Sequence, residues 1–248
     1  MRLLLLINRD FPSYYALGRL LPLIQGQTVR VLQTAQVGAP RAVPRALKRL
    51  ASHEQSLLQA QLSLPGHTDW PALQSALAQQ LGVPITTVTG VNQGFGFERM
   101  QSFQPDLVVS IRFGSILRPA AINLPRLGVL NLHSGLLPAY RGVMATFWSM
   151  LHQRSHYGYS IHDIIDEGID TGPLIEHESL PLDLNKDYLN QLLALYQSAV
   201  PRLARIIEQR EAAGVLRRLP NRATTGGYYS TPTASDCAQF SGLGLRLF

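Results

Sequence analysis

The chain has 248 residues, a formal net charge of +6 and one cysteine, Cys237. That length suits one α/β domain of ordinary size, and 46% hydrophobic against 15% charged residues excludes a disordered chain. A lone cysteine excludes an internal disulfide and a cysteine-based metal site, which fits a reducing, cytoplasmic compartment.

Leu3 to Ile7 is a continuous apolar run, too short for a signal-peptide core or a membrane span, and reads as a first, buried strand. Residues 12–24 read as a helix that Pro22 bends or ends. A short strand over 29–32 and a helical pattern over 39–64 follow, broken at Pro65-Gly66. Asp69 caps an expected helix over 70–81 that Gly82 ends. Then come a strand over 85–88, a helix over 95–103 and a fully buried strand over 107–111. Strands alternating with helices specify an α/β fold with a doubly wound, mostly parallel, Rossmann-like sheet. Ligands of such sheets lie beyond the carboxyl ends of the strands.

Further along, a strand over 128–132 leads into a loop, and Gly142 is expected to open a helix with Phe147, Trp148 and Leu151 on its inner face. Strands are expected over 157–165 and 174–180, and a long amphipathic helix over 187–213 with a kink at Pro201. The tail changes character, with Asn221, Thr224-Thr225, Gly226-Gly227 and Tyr228-Tyr229. It reads as a turn-rich extension, 214–248, packed on a main domain of 1–213. Basic residues are spread thinly, with modest clusters at Arg41/Arg45/Lys48/Arg49 and Arg202/Arg205/Arg217/Arg218. These read as solvated helix faces. A nucleic-acid surface would need a denser basic stripe with interleaved aromatics, so nucleic acid is not expected as a partner.

Two loops carry the chemistry. Asn131-Leu132-His133-Ser134-Gly135-Leu136-Leu137-Pro138-Ala139-Tyr140-Arg141-Gly142 holds an amide and, two residues on, an imidazole on the same face of an extended segment. The amide can donate to a carbonyl oxygen turning negative, and the imidazole can move a proton near neutral pH. Asp166-Glu167-Gly168-Ile169-Asp170-Thr171-Gly172-Pro173 supplies carboxylates. Taken alone, a histidine in an apolar segment is more often structural and acidic residues in a glycine loop usually only shape it. Ser110 and Ser134 lack the G-x-S-x-G frame of a serine hydrolase.

The pattern N-x-H-x-x-L-L-P-x-x-R-G followed by D-x-G-x-D-T-G-P resembles the folate-dependent formyltransferase family, most clearly over 105–181. The resemblance implies catalytic roles for Asn131, His133 and Asp170, with 10-formyltetrahydrofolate as formyl donor and no metal. It implies folate contacts through the backbone of Arg112, Phe113 and Gly114, and a pocket-closing turn at Leu136, Leu137 and Pro138. Close backbone approach is expected at Gly142, and further contacts at Ile165, Asp166 and Gly168. Asp166 and Glu167 also form the loop, and His162 is read as a packing or folate-wall residue. Arg141 is read either as a surface residue or as a contact for an anionic substrate or the folate glutamate.

Departures from the family's patterns narrow the acceptor. Asn8-Arg9-Asp10-Phe11-Pro12 stands where a glycinamide ribonucleotide enzyme has a Gly-Ser-Asn type phosphate loop. The chain stops about one small domain short of methionyl-tRNA formyltransferases and carries no regulatory domain of a formyltetrahydrofolate hydrolase. The expectation is formyl transfer to a small-molecule amine: a nucleotide-linked amino sugar, or an amino acid or hydroxylamine. A tRNA enzyme, a hydrolase and a non-catalytic folate-binding protein are the alternatives. A sheet edge or the tail could support a homodimer.

Overall fold

The computed structural model describes residues 1–35, 42–66, 68–214, 216–222 and 226–248. Arg41, the start of the helical pattern at 39 and Thr224-Thr225 lie outside the described residues. The elements in chain order are β1 (Arg2–Asn8), α1 (Phe11–Leu20), β2 (Thr28–Thr34), α2 (Arg45–Gln61), α3 (Trp70–Leu81), β3 (Ile85–Val88), α4 (Gly94–Phe103), β4 (Leu107–Ile111) and α5 (Pro119–Ile122). They continue with β5 (Val129–His133), β6 (Tyr140–Gly142), α6 (Ala145–Leu151), β7 (His156–Ile164), β8 (Leu174–Pro181), α7 (Tyr188–Ala213), β9 (Gly227–Tyr229) and α8 (Ala234–Gly242).

Seven strands form one sheet in the order β3-β2-β1-β4-β5-β7-β8. β1 to β5 run parallel, while β7 and β8 add an antiparallel edge. The fold is therefore α/β with a mostly parallel sheet. Alternation along β1 accounts for the two layers of core: Leu3, Leu5 and Ile7 enter the larger apolar cluster, Leu4 and Leu6 the smaller. A strand covered on both faces reads as a near-continuous apolar run, as do Leu3–Ile7 of β1 and, but for the buried Ser110, all of β4.

Local chemistry sets the boundaries. Asp10 and Asp69 accept from the backbone N–H groups of Ser13 and Ala72 and so cap α1 and α3. Pro22 lies in a 3₁₀ turn, Leu21–Leu23, that ends the α1 segment. α7 runs through Pro201 as one helix and buries Tyr188, Leu192, Leu195, Tyr196, Ala199 and Leu203 against the sheet and α1.

Two expectations are corrected. Gly142 does not open a helix: it ends β6, at φ +97°, where a Cβ would stand 2.1 Å from the Tyr229 carbonyl oxygen. The helix starts at Ala145 instead. The tail is not turn-rich throughout. It contains α8, fixed by a reciprocal capping box between Thr233 and Asp236 and by burial of Cys237 and Phe240. Phe240 stacks on Phe147 of α6 at 4.4 Å. Among the described residues, no helix is long and apolar enough to cross a membrane.

Candidate active site

At the carboxyl end of the sheet lies a cavity of about 780 Å³. That is the size of a drug-sized ligand site. β5 carries Asn131 and His133 to its wall on alternate residues, and the antiparallel register of β7 sets His162 opposite Asn131. The Asp166–Gly172 loop follows β7 and returns Asp170 to the same place. Asp170 adopts φ +54°, a left-handed conformation uncommon outside glycine.

The four side chains interlock around the Asp170 carboxylate. Oδ1 accepts from Asn131 Nδ2 at 3.3 Å and lies 3.3 Å from His162 Nε2. Oδ2 accepts from the Gly142 backbone N–H at 2.8 Å and lies 3.5 Å from His133 Nδ1. Burial by itself raises this carboxyl, but the His133 charge, the bond and charge of His162 and the Gly142 N–H together hold it down at about 2. Asp170 is thus a carboxylate at any ordinary pH. A base that weak is better suited to orienting its neighbours than to keeping the proton of an attacking amine.

The two histidines are fixed by carbonyl oxygens, which only accept. His133 Nε2 stands 2.6 Å from the Tyr140 oxygen and must donate to it, leaving Nδ1 as the nitrogen facing Asp170. His162 Nδ1 donates to the Asp163 oxygen at 2.9 Å. Its Nε2, 3.0 Å from Asn131 Nδ2, accepts from the amide as the neutral ring and donates to Asp170 as the imidazolium. His162 is therefore bonded to two of the three expected catalytic side chains. Its position eight residues before Asp170 was visible in the sequence, but nothing local distinguishes it from a packed histidine.

The remaining expected residues divide. Arg112, Phe113 and Gly114 line the cavity after β4, and Gly142, Asp166 and Gly168 line it from the two loops. The Gly114 N–H is already taken by Thr34 Oγ1, at 2.9 Å. The Arg112 side chain turns inward to Asp10, with Nη2 3.0 Å from Oδ2. Burial disfavours the Arg112 charge, and the Asp10 carboxylate more than restores it.

Leu136, Leu137, Pro138, Ile165 and Arg141 are not among the cavity-lining residues. The Leu-Leu-Pro turn is instead internal support: Leu137 N–H donates to Ser160 Oγ, which donates to the Gly135 oxygen. Ile165 faces outward, and Arg141 sits in β6 opposite Tyr228. Sequence reasoning missed Asp10 and Glu54, two buried carboxyls on the cavity wall. The Asp10 signal was the cap before Phe11-Pro12; Glu54 gave none. Among the described residues, no cluster of His, Cys, Asp or Glu is arranged to hold a metal ion.

Residues 93–199 match the formyl transferase family model. A methionyl-tRNA formyltransferase of Kosmotoga olearia is 30% identical over 118 residues, which is 48% of this chain and 38% of that protein. The chain thus spans about two fifths of the length of that curated relative. Among solved structures, a sugar N-formyltransferase from Shewanella sp FDAARGOS_354 superposes with a TM-score of 0.61 at 16% identity, covering 96% of this chain and 86% of that one. An N-formyltransferase from Helicobacter canadensis, solved with folinic acid and dTDP-3-aminofucose, gives 0.58 at 17%, covering 93% and 71%. At such identities the structures establish a shared fold. The matched segment, which is similar to the formyl transferase family, holds Asn131, His133, His162 and Asp170.

Proposed function

We propose that the chain transfers the formyl group of 10-formyltetrahydrofolate to the amine of a small molecule. The observation that carries this reading is the meeting of Asn131, His133 and Asp170 at one wall of a cavity of about 780 Å³. In the reaction the amine adds to the formyl carbon, the bond from that carbon to folate N10 breaks, and the amine's proton ends on N10.

Asn131 supplies the N–H for the formyl oxygen as it turns negative. Its amide nitrogen is held by Asp170 and His162 in this state, so the oxygen takes one N–H in exchange for an internal partner. His133 Nδ1, paired with Asp170, places a positive charge beside the developing oxyanion when it holds a proton. Asp170 keeps the imidazoles and the amide in register and stays ionised throughout.

The other end of the cavity bears on the acceptor. A free helix N-terminus is a ready anion site, but that of α1 is capped by Asp10, whose carboxylate is itself paired with Arg112. An acceptor phosphate at that helix end would face the carboxylate. This supports an acceptor unlike a glycinamide ribonucleotide. Tyr228 and Ser230 of the tail also line the cavity, where a nucleotide-linked amino sugar would meet them. A second reading, an aminoacyl-tRNA as acceptor, is favoured by the methionyl-tRNA formyltransferase relatives.

The test is to incubate the protein with 10-formyltetrahydrofolate and a panel of nucleotide-linked amino sugars, amino acids, hydroxylamines and methionyl-tRNA, and to look for the mass of one added formyl group. Formate release without an acceptor points to hydrolysis. Neither product from any member refutes the reading.

A further inference from the structure

The C-terminal extension reaches the site at two places that no family pattern marks. Over 216–222 it lies along the Asp170 loop. Arg218 Nε donates to Asp163 Oδ2 at 2.6 Å, and Leu219 exchanges backbone hydrogen bonds with Leu174 at 2.7 and 2.9 Å. Asn221 Nδ2 then donates to the carbonyl oxygens of Asp170 and Gly172, each at 2.9 Å. Further on, β9 pairs in parallel with β6, and the Val143 N–H donates to the Tyr229 oxygen at 2.9 Å. One segment therefore grips both catalytic loops, and those loops meet only a few ångströms away, where Gly142 N–H donates to Asp170 Oδ2.

We infer that Asn221 is a positioning residue for Asp170: its amide holds the left-handed turn that aims the carboxylate at Asn131, His133 and His162. The orientation of the amide is forced, because both groups before it are carbonyl oxygens and only the nitrogen can donate to them. Both N–H groups are spent in this way, and among the described residues Asn221 Oδ1 is left buried without a partner. A buried orphan oxygen is a cost that native structures rarely retain. Here it accompanies the bracing of Asp170 at φ +54°, which chain preference alone does not favour.

An aliphatic or acidic replacement of the same size keeps the packing and removes both donors. In Asn221→Leu and Asn221→Asp the carbonyls of Asp170 and Gly172 lose their brace, and Asp170 is free to leave its turn.

The inference rests on the formyl-transfer reading, so its test combines one activity readout and one that needs no activity. In the full chain, Asn221→Leu and Asn221→Asp should lower kcat for formyl transfer about ten- to a hundredfold. Binding of 5-formyltetrahydrofolate, a donor analogue without N10 formyl, should stay within about threefold. Independently, hydrogen exchange of the Gly142 amide should speed up about tenfold or more, because its acceptor moves. Arg218→Ala loosens the same strap away from Asp170; it should lower Tm while leaving kcat and Gly142 exchange near the parent. Asn221→Ser, which keeps one donor, should fall between and serves if the larger changes do not fold. Unchanged kcat and unchanged Gly142 exchange in the Asn221 variants overturn the inference, as does an equal kcat loss in Arg218→Ala. A parent protein that forms no product but shows the Gly142 effect refutes the activity and leaves the positioning role standing.

Discussion

The Asp170 carboxylate gives a quantity that can be checked without knowing the acceptor. Its ordinary value of 3.8 is held down at about 2 in the folded protein, against burial, by His133, His162 and the Gly142 N–H. A folded value below the unfolded one adds stability above about pH 4 that is lost as pH falls through about 2. A displacement of that size is worth about 2 kcal/mol, or roughly 4–8 °C of Tm in a chain this long. Asp170→Asn removes the charge and keeps the shape. It also places an amide nitrogen against either the Gly142 N–H or the Asn131 amide, a penalty that does not depend on pH. The Tm of parent and variant is measured by calorimetry from pH 7 to pH 2. The gap should be constant above pH 5 and shrink by roughly 4–8 °C towards pH 2, since only the parent loses the charge term. A gap that does not change with pH refutes the electrostatic account of the site. A gap that widens in acid reverses its sign.

Three further outcomes follow from the geometry. Asn131→Ala should cost about two to three decades in kcat with little change in KM for the folate, as for the loss of one oxyanion donor, read by steady-state kinetics. His162→Ala should lower kcat more than KM, because His162 touches Asn131 and Asp170. His162→Gln, whose amide can reach the same partners, should recover part of the loss, and equal effects of the two would assign His162 to packing. Burial, with Asp10 nearby, pushes Glu54 up to about 8 despite Arg112. A raised folded value means stability that is full below the ordinary 4.5 and lost as pH rises through about 8. Glu54→Gln should therefore flatten the fall of Tm between about pH 5 and 9, and parallel slopes for parent and variant would show that Glu54 is not buried in this way.

The centre of the parallel core was legible because Leu3–Ile7 of β1 and all of β4 except Ser110 are apolar on both faces, a pattern read without knowing any neighbour. Asp69 and Gly82 likewise announced both ends of α3 locally. Helix α8 was missed although Thr233 and Asp236 form its cap, since a glycine- and tyrosine-rich stretch precedes it and masks the period. Gly142 was misplaced for another reason. Its positive φ serves a strand pair with β9 that lies some 85 residues downstream in the chain, and no local rule reveals such a partner. The Leu136–Pro138 turn shows how a motif can mislead about contact. Its residues hold the loop through Ser160, a residue outside the motif, and do not line the cavity. His162 and Asn221 belong to the same class, since their roles exist only once β7 and the tail are in place.

Among the described residues, three non-glycine residues with positive φ line the cavity: Arg112 at +60°, Met144 at +56° and Asp170 at +54°. Such conformations cost about 1–3 kcal/mol each and persist only where surroundings over-determine them. The restraints differ in kind. Arg112 is held by its own ion pair with Asp10, so side-chain charge fixes the backbone that follows β4. Met144 lies between Val143, bonded to Tyr229, and α6, which starts at the next residue. Asp170 is held at its side chain by Gly142 and at its carbonyl by Asn221. Two of the three restraints therefore run through the tail. The short parallel pair β6–β9 has too few residues to be stable on its own, yet it joins the Gly142 loop to the same segment that braces Asp170. The extension thus stabilises the fold and sets the active geometry through the same contacts, so truncation before Asn221 should disorder the Asp170 carboxylate before it unfolds the sheet.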